Sequence, residues 1–63
     1  MNLADKIRQR REALGLSKQQ AARRAEVTWG NWHAYEQGRI APTLATLERI
    51  AAALEWPLAD LVS

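Results

Sequence analysis

The sequence has no cysteine, one histidine, two prolines and three glycines. Without cysteine there is neither a disulfide framework nor a thiolate metal site, and nothing argues for an oxidising compartment. So little proline and glycine is unlike a collagen-like or disordered chain. No apolar run approaches the roughly 18 residues that a bilayer-spanning helix needs, and the N-terminus lacks the basic-then-apolar order of a signal peptide. The chain therefore reads as soluble, unexported and cytoplasmic, with no membrane partner. Its 63 residues leave room for a single domain, 1–63, and exclude a multidomain enzyme. A domain this small buries only roughly 60% of its unfolded surface, so packing must be efficient.

What is present favours helices. Hydrophobic residues make up 48% of the chain, and 12 of those 30 are alanine, the strongest helix former. Net charge is +2, but its distribution says more than its sum. Residues 1–39 carry eight basic and four acidic groups, whereas residues 40–63 carry one and three. A basic end of this kind steers binding to a polyanion even when the whole protein is nearly neutral.

The punctuation divides the chain into five helices. Asn2 caps a first helix with Asp5 in its opening turn, Leu3, Ile7 and Leu14 on one face, and Gly15 as its stop. Ser17 and Gln20 form a capping-box pattern for a second, which carries Ala21, Ala22 and Ala25 for close packing and ends near Ala25–Val27. Thr28 caps a third over about Trp29–Gln37, closed by Gly38 in the left-handed region. After the loop Arg39–Pro42, Thr43 caps a fourth with Leu44, Leu47, Ile50, Ala51 and Leu54 at the 3.6-residue period. Pro57 suits the first turn of a fifth, where Leu58, Leu61 and Val62 close the core beside Trp56. No period-2 strand pattern, internal repeat or low-complexity stretch competes.

In order and spacing, Leu14-Gly15-Leu16-Ser17, Ala22, Val27-Thr28, Tyr35-Glu36-Gln37-Gly38, Pro42 and Leu47-x-x-Ile50-Ala51-x-x-Leu54 resemble the helix-turn-helix domain of lambdoid phage repressors and Cro, the xenobiotic-response-element family. The resemblance covers nearly the whole chain. It implies an all-α, compact five-helix bundle with the helix-turn-helix at helices 2 and 3, Ser17–Ala25 and Trp29–Gln37. The partner implied is double-stranded DNA, with the second helix of the motif in the major groove and the first crossing the phosphate backbone. It implies a transcriptional regulator or a designed or minimal DNA-binding domain, nucleoid-associated if bacterial or phage. It leaves open a homodimer through the C-terminal region, and it pairs Arg11 with Glu36 in a partly buried ion pair whose guanidinium still reaches a phosphate.

At 100° per residue, Trp32, Tyr35 and Glu36 share one face of helix 3, while Gly30, Ala34 and Gln37 lie opposite, flanked by Thr28, Trp29, Asn31 and His33. On the resemblance the second face enters the groove. Base reading then falls to Asn31, Gln37, His33, Lys18 and Gln19, with Ala34 touching a thymine methyl, Gly30 allowing close approach, and Ser17, Lys18 and Arg39 placed for phosphates. Trp29 has three uses open to it: packing on Val27, lying along the sugar-phosphate backbone, or meeting a thymine methyl.

Six residues depart from the family pattern. Ala21 replaces the usual leucine and Trp32 a smaller branched residue, which reads as a compensated exchange of volume. Glu26 stands where glycine is usual, at a strain of about 1 kcal/mol if left-handed. Arg10 occupies an often apolar position and must snorkel. Gly30 and Ala34 replace long polar groups.

Other chemistry finds no support. His33 has neither cysteine nor a carboxylate cluster with which to hold a metal. A nucleophile would have to be Ser17, already a cap, or Ser63, which is terminal. The expectation is no catalytic residue, no cofactor, no metal and no small-molecule substrate. The rival function is a protein-binding, antitoxin-like module on the same fold.

Overall fold

The computed structural model describes residues 2–62, so Met1 and Ser63 lie outside the described residues. Along the chain run α1 (Leu3–Ala13), α2 (Lys18–Ala25), α3 (Trp29–Gln37), α4 (Leu44–Ala53) and α5 (Leu58–Val62), with no strand among the described residues. Four side chains start four helices as the sequence predicts. Asn2 Oδ1 accepts from the Asp5 N–H at 2.9 Å, Ser17 Oγ from Gln20 at 3.0 Å, Thr28 Oγ1 from Asn31 at 3.1 Å and Thr43 Oγ1 from Thr46 at 3.2 Å. At Ser17 the capping box is complete, because Gln20 Oε1 accepts the Ser17 N–H in return at 2.8 Å. α2 thus begins at Lys18, one residue later than expected, because Ser17 itself is extended.

The same four helices also end alike. One left-handed residue turns the chain, and an N–H reaches back five residues: Leu16 to the Arg11 carbonyl, Val27 to Ala22, Arg39 to Ala34 and Trp56 to Ala51. Glycine supplies the turn at positions 15 and 38, but Glu26 (φ 59°) and Glu55 (φ 54°) supply it after α2 and α4. The strain expected at Glu26 is therefore present, and Glu55, whose local sequence gives no warning of it, adds a second instance.

Ile7, Ala21, Ala22, Ala25, Trp32, Tyr35, Ile50, Ala51, Ala53, Leu54 and Leu61 form one core. α3 packs on α1 and α2, α4 on α2 and α5, and α1 also meets α5. Three alanines let α2 lie close to its neighbours, and Trp32 and Ala21 are both fully buried. Both lie in the same core, and burial of the indole stabilises the fold by about 3 kcal/mol.

Three expectations need correction. Leu44 is 64% exposed and Val62 57% exposed, so neither belongs to the core. Leu44 opens α4, where no neighbouring helix covers it, and Val62 stands about 100° around α5 from Leu61, which takes the inward place. Pro57 precedes α5 instead of joining its first turn, its carbonyl accepting from Asp60 at 3.0 Å and Leu61 at 3.2 Å.

Candidate nucleic-acid interface

α3 is oriented by its buried face. Trp32, Tyr35 and Glu36 are buried there, as the wheel predicts. The Glu36 carboxylate is held by Arg11 from α1 through both ends of the guanidinium, Nε to Oε2 at 2.6 Å and Nη2 to Oε1 at 3.0 Å. Trp32 Nε1 donates to the same Oε2, and Arg11 Nη1 donates to the Leu16 carbonyl at 2.9 Å. The Arg11 side chain keeps 11% of its surface and that of Glu36 only 1%. The hydrogen bond that Arg11 donates to Glu36 raises the Arg11 pKa, while burial opposes it less strongly. No buried side-chain polar atom among the described residues lacks a partner.

The opposite face is open. Gly30, Asn31 and Gln37 are exposed, Ala34 is half-buried, and Thr28 is exposed at the helix entrance. A methyl group added at Gly30 would meet nothing within 4 Å, so the fold itself does not require glycine there. The side chains of Gln19, Asn31, Gln37 and Arg39 have no polar partner among the described residues. The Ser17 and Thr28 hydroxyls accept backbone N–H groups and keep their own protons available.

Where α2 begins, Lys18 Nζ lies 2.9 Å from His33 Nδ1. On the neighbouring turn Trp29, 52% exposed, stacks on the His33 ring with centroids 4.9 Å apart and planes 7° apart. Stacking on His33 is thus a use of Trp29 beyond the three that the sequence leaves open. The sequence does not disclose the Lys18–His33 contact, because it depends on the angle between α2 and α3. The Trp32–Glu36 bond carries a signal that was missed, the four-residue spacing that brings helix side chains together.

Several basic residues hydrogen-bond to the fold's own carbonyls, although Arg24 and Arg49 remain exposed. Arg10 Nε donates to the Leu54 carbonyl at 3.0 Å and Nη2 to that of Glu55 at 3.2 Å, with its guanidinium 5.7 Å from the Trp56 ring. Arg49 Nε donates to the Ala25 carbonyl at 3.0 Å, and Arg24 Nη1 reaches the Ala53 carbonyl at 3.4 Å and Glu55 Oε2 at 3.3 Å. These arginines satisfy carbonyls at the ends of α2 and α4. The basic bias of residues 1–39 is therefore a weaker argument for a polyanion than its tally suggests, and Lys18, Arg23 and Arg39 are what α2 and the end of α3 offer. Arg10, which the sequence predicts to snorkel, is half-buried and gives its guanidinium to carbonyls beside Trp56.

A shallow groove of about 470 Å³ lies between the start of α1, Tyr35, and the loop Gly38–Pro42. It gathers no group of acid, base and nucleophile. No cluster of three or more metal-ligating side chains occurs among the described residues, and no helix there is long and apolar enough to cross a membrane.

A family model described as "Helix-turn-helix domain" matches residues 2–62. Among solved structures, that of the restriction-modification controller protein C.AhdI from Aeromonas hydrophila is similar with a TM-score of 0.91, over 94% of this chain and 89% of that one, at 24% sequence identity. At that identity the likeness establishes a shared fold. None of the curated proteins matches the sequence. The family match spans all five helices, so the chain belongs to the helix-turn-helix domain family.

Proposed function

We propose that the chain binds double-stranded DNA sequence-specifically, as a transcriptional regulator, by laying the outer face of α3 in the major groove. One observation carries this reading: α3 is locked from behind through Glu36 and Trp32, while its outer face keeps Asn31 and Gln37 unpaired beside a glycine with open space around it. An α-helix with side chains is roughly 10–12 Å across and the major groove about 12 Å wide, so a face free of bulk at its centre suits close approach. Asn31, Gln37 and His33 read base edges in this account, helped by Gln19 and by Ala34 against a thymine methyl. Trp29 lines the same edge, and Ser17, Lys18, Thr28, Arg11 and Arg39 position the backbone.

Arg39, exposed just beyond α3, gives the direct test. Arg39→Ala should weaken binding nearly equally for all sequences and reduce the slope of log affinity against log salt by about 0.9. Titrations at several salt concentrations on selected and scrambled duplexes check this; an unchanged slope removes Arg39 from the interface. Binding with neither salt dependence nor sequence preference would favour the protein-binding alternative. A homodimer through the C-terminal region belongs to the same proposal. Exposed Val62 on α5 supports it, and sedimentation of the chain with and without a palindromic site tests it.

A further inference from the structure

The Lys18–His33 contact fixes more than a distance. An ammonium has only donors, so Nδ1 at 2.9 Å from Lys18 Nζ must be the acceptor, and the proton of the neutral ring sits on Nε2. Turning the ring over would break that bond, and the stack on Trp29 holds its plane. Nε2 has no partner among the described residues, yet no buried side-chain polar atom is unsatisfied. It therefore faces solvent. Around the α3 axis His33, half-buried, stands about 60° from Gly30, about 40° from Gln37 and about 100° from buried Trp32, at the edge of the open face.

We propose that Lys18 and Trp29 hold His33 as an outward N–H donor of single orientation that reads the N7 acceptor of a purine in the major groove, guanine foremost. Guanine presents O6 as a second acceptor on the same edge, whereas adenine presents a competing N–H donor there. The assignment rests on α3 entering the groove. His33 becomes a specificity determinant and Lys18 its positioning residue, acting through the tautomer as well as by charge. Gly30 on the same face removes the bulk that would hold the imidazole away from the base.

Two measurements test this. Nitrogen-15 NMR of the free protein, followed upward in pH until the ring signals stop moving, should show Nε2 protonated and Nδ1 bare, and Lys18→Met should relax this to a mixture of tautomers. On a site selected from random DNA, 7-deazapurines are then introduced one position at a time. The parent should lose about fivefold in affinity at one purine, the worth of one hydrogen bond; His33→Ala should lose nothing further there, and Lys18→Met should show a smaller penalty. A protonated Nδ1 in the free parent, or a penalty that persists in His33→Ala, overturns the proposal. A selected site indifferent to every 7-deazapurine overturns the His33 assignment and leaves the groove reading standing, whereas failure to select any site sinks both.

Discussion

Arg11→Ala and Glu36→Ala are each expected to destabilise the protein by about 3–5 kcal/mol, because each leaves the other charge buried without its partner. For 63 residues the whole stability is roughly 3–9 kcal/mol, so either change approaches the folding limit. The double alanine variant should lose less than the sum, since the second substitution removes a charge already stranded. Denaturant unfolding of the four proteins measures the coupling, and strictly additive losses would show that the pair does not act as a unit. Should a single variant fail to fold, Arg11→Lys keeps the charge but not the two-pronged fork, and an intermediate loss is expected. The pair is insensitive to moderate alkali. A base whose pKa is raised on folding contributes stability below its unfolded value and loses it only as pH climbs through the folded one, which for Arg11 lies beyond the ordinary working range.

Ala34→Glu should reduce DNA affinity by at least about a hundredfold, the equivalent of the several kcal/mol carried by like charges brought together at an interface. It places a carboxylate in the middle of the α3 outer face, opposite phosphates and base acceptors. Ala34 is half-buried where the wheel suggests a fully open position, but its neighbours on that face are Gly30 and Gln37, so the longer side chain has an outward path. Circular dichroism and thermal melting should find the fold retained. If the folded variant binds selected DNA as well as the parent does, α3 is not the groove element and the protein-binding reading takes its place.

How far the sequence discloses this molecule depends on the range of the forces involved. Caps at Asn2, Ser17, Thr28 and Thr43 are local, each decided within four residues, and all are in place. The inward faces of α1, α3 and α4 follow from periodicity. Leu44 and Val62 are different, since their periodicity is correct but whether another helix arrives to cover them is a tertiary question. Charge is the more instructive case. Arg10, Arg24 and Arg49 count as cations in a composition, yet their guanidinium groups donate to helix-end carbonyls, which no tally of signs distinguishes from a binding surface. The proposed groove residues are chosen by family resemblance and helix geometry, but the Lys18–His33–Trp29 arrangement exists only once α2 and α3 have docked.

The bonds from Arg10 to Leu54 and Glu55 join positions 44 and 45 residues apart. Closing so long a loop costs entropy before any contact is gained, and the acceptor carbonyls become available only after the turn following α4 has formed. This clasp therefore belongs to the late side of the folding barrier. An interaction absent from the transition state lengthens the lifetime of the native state without hastening its formation. Arg10→Ala should accordingly leave the refolding limb of a chevron plot almost unmoved and raise the unfolding limb. The arginine that joins the first helix to the last turns is thus a brake on opening, setting how often so small a protein exposes its ends to proteolysis.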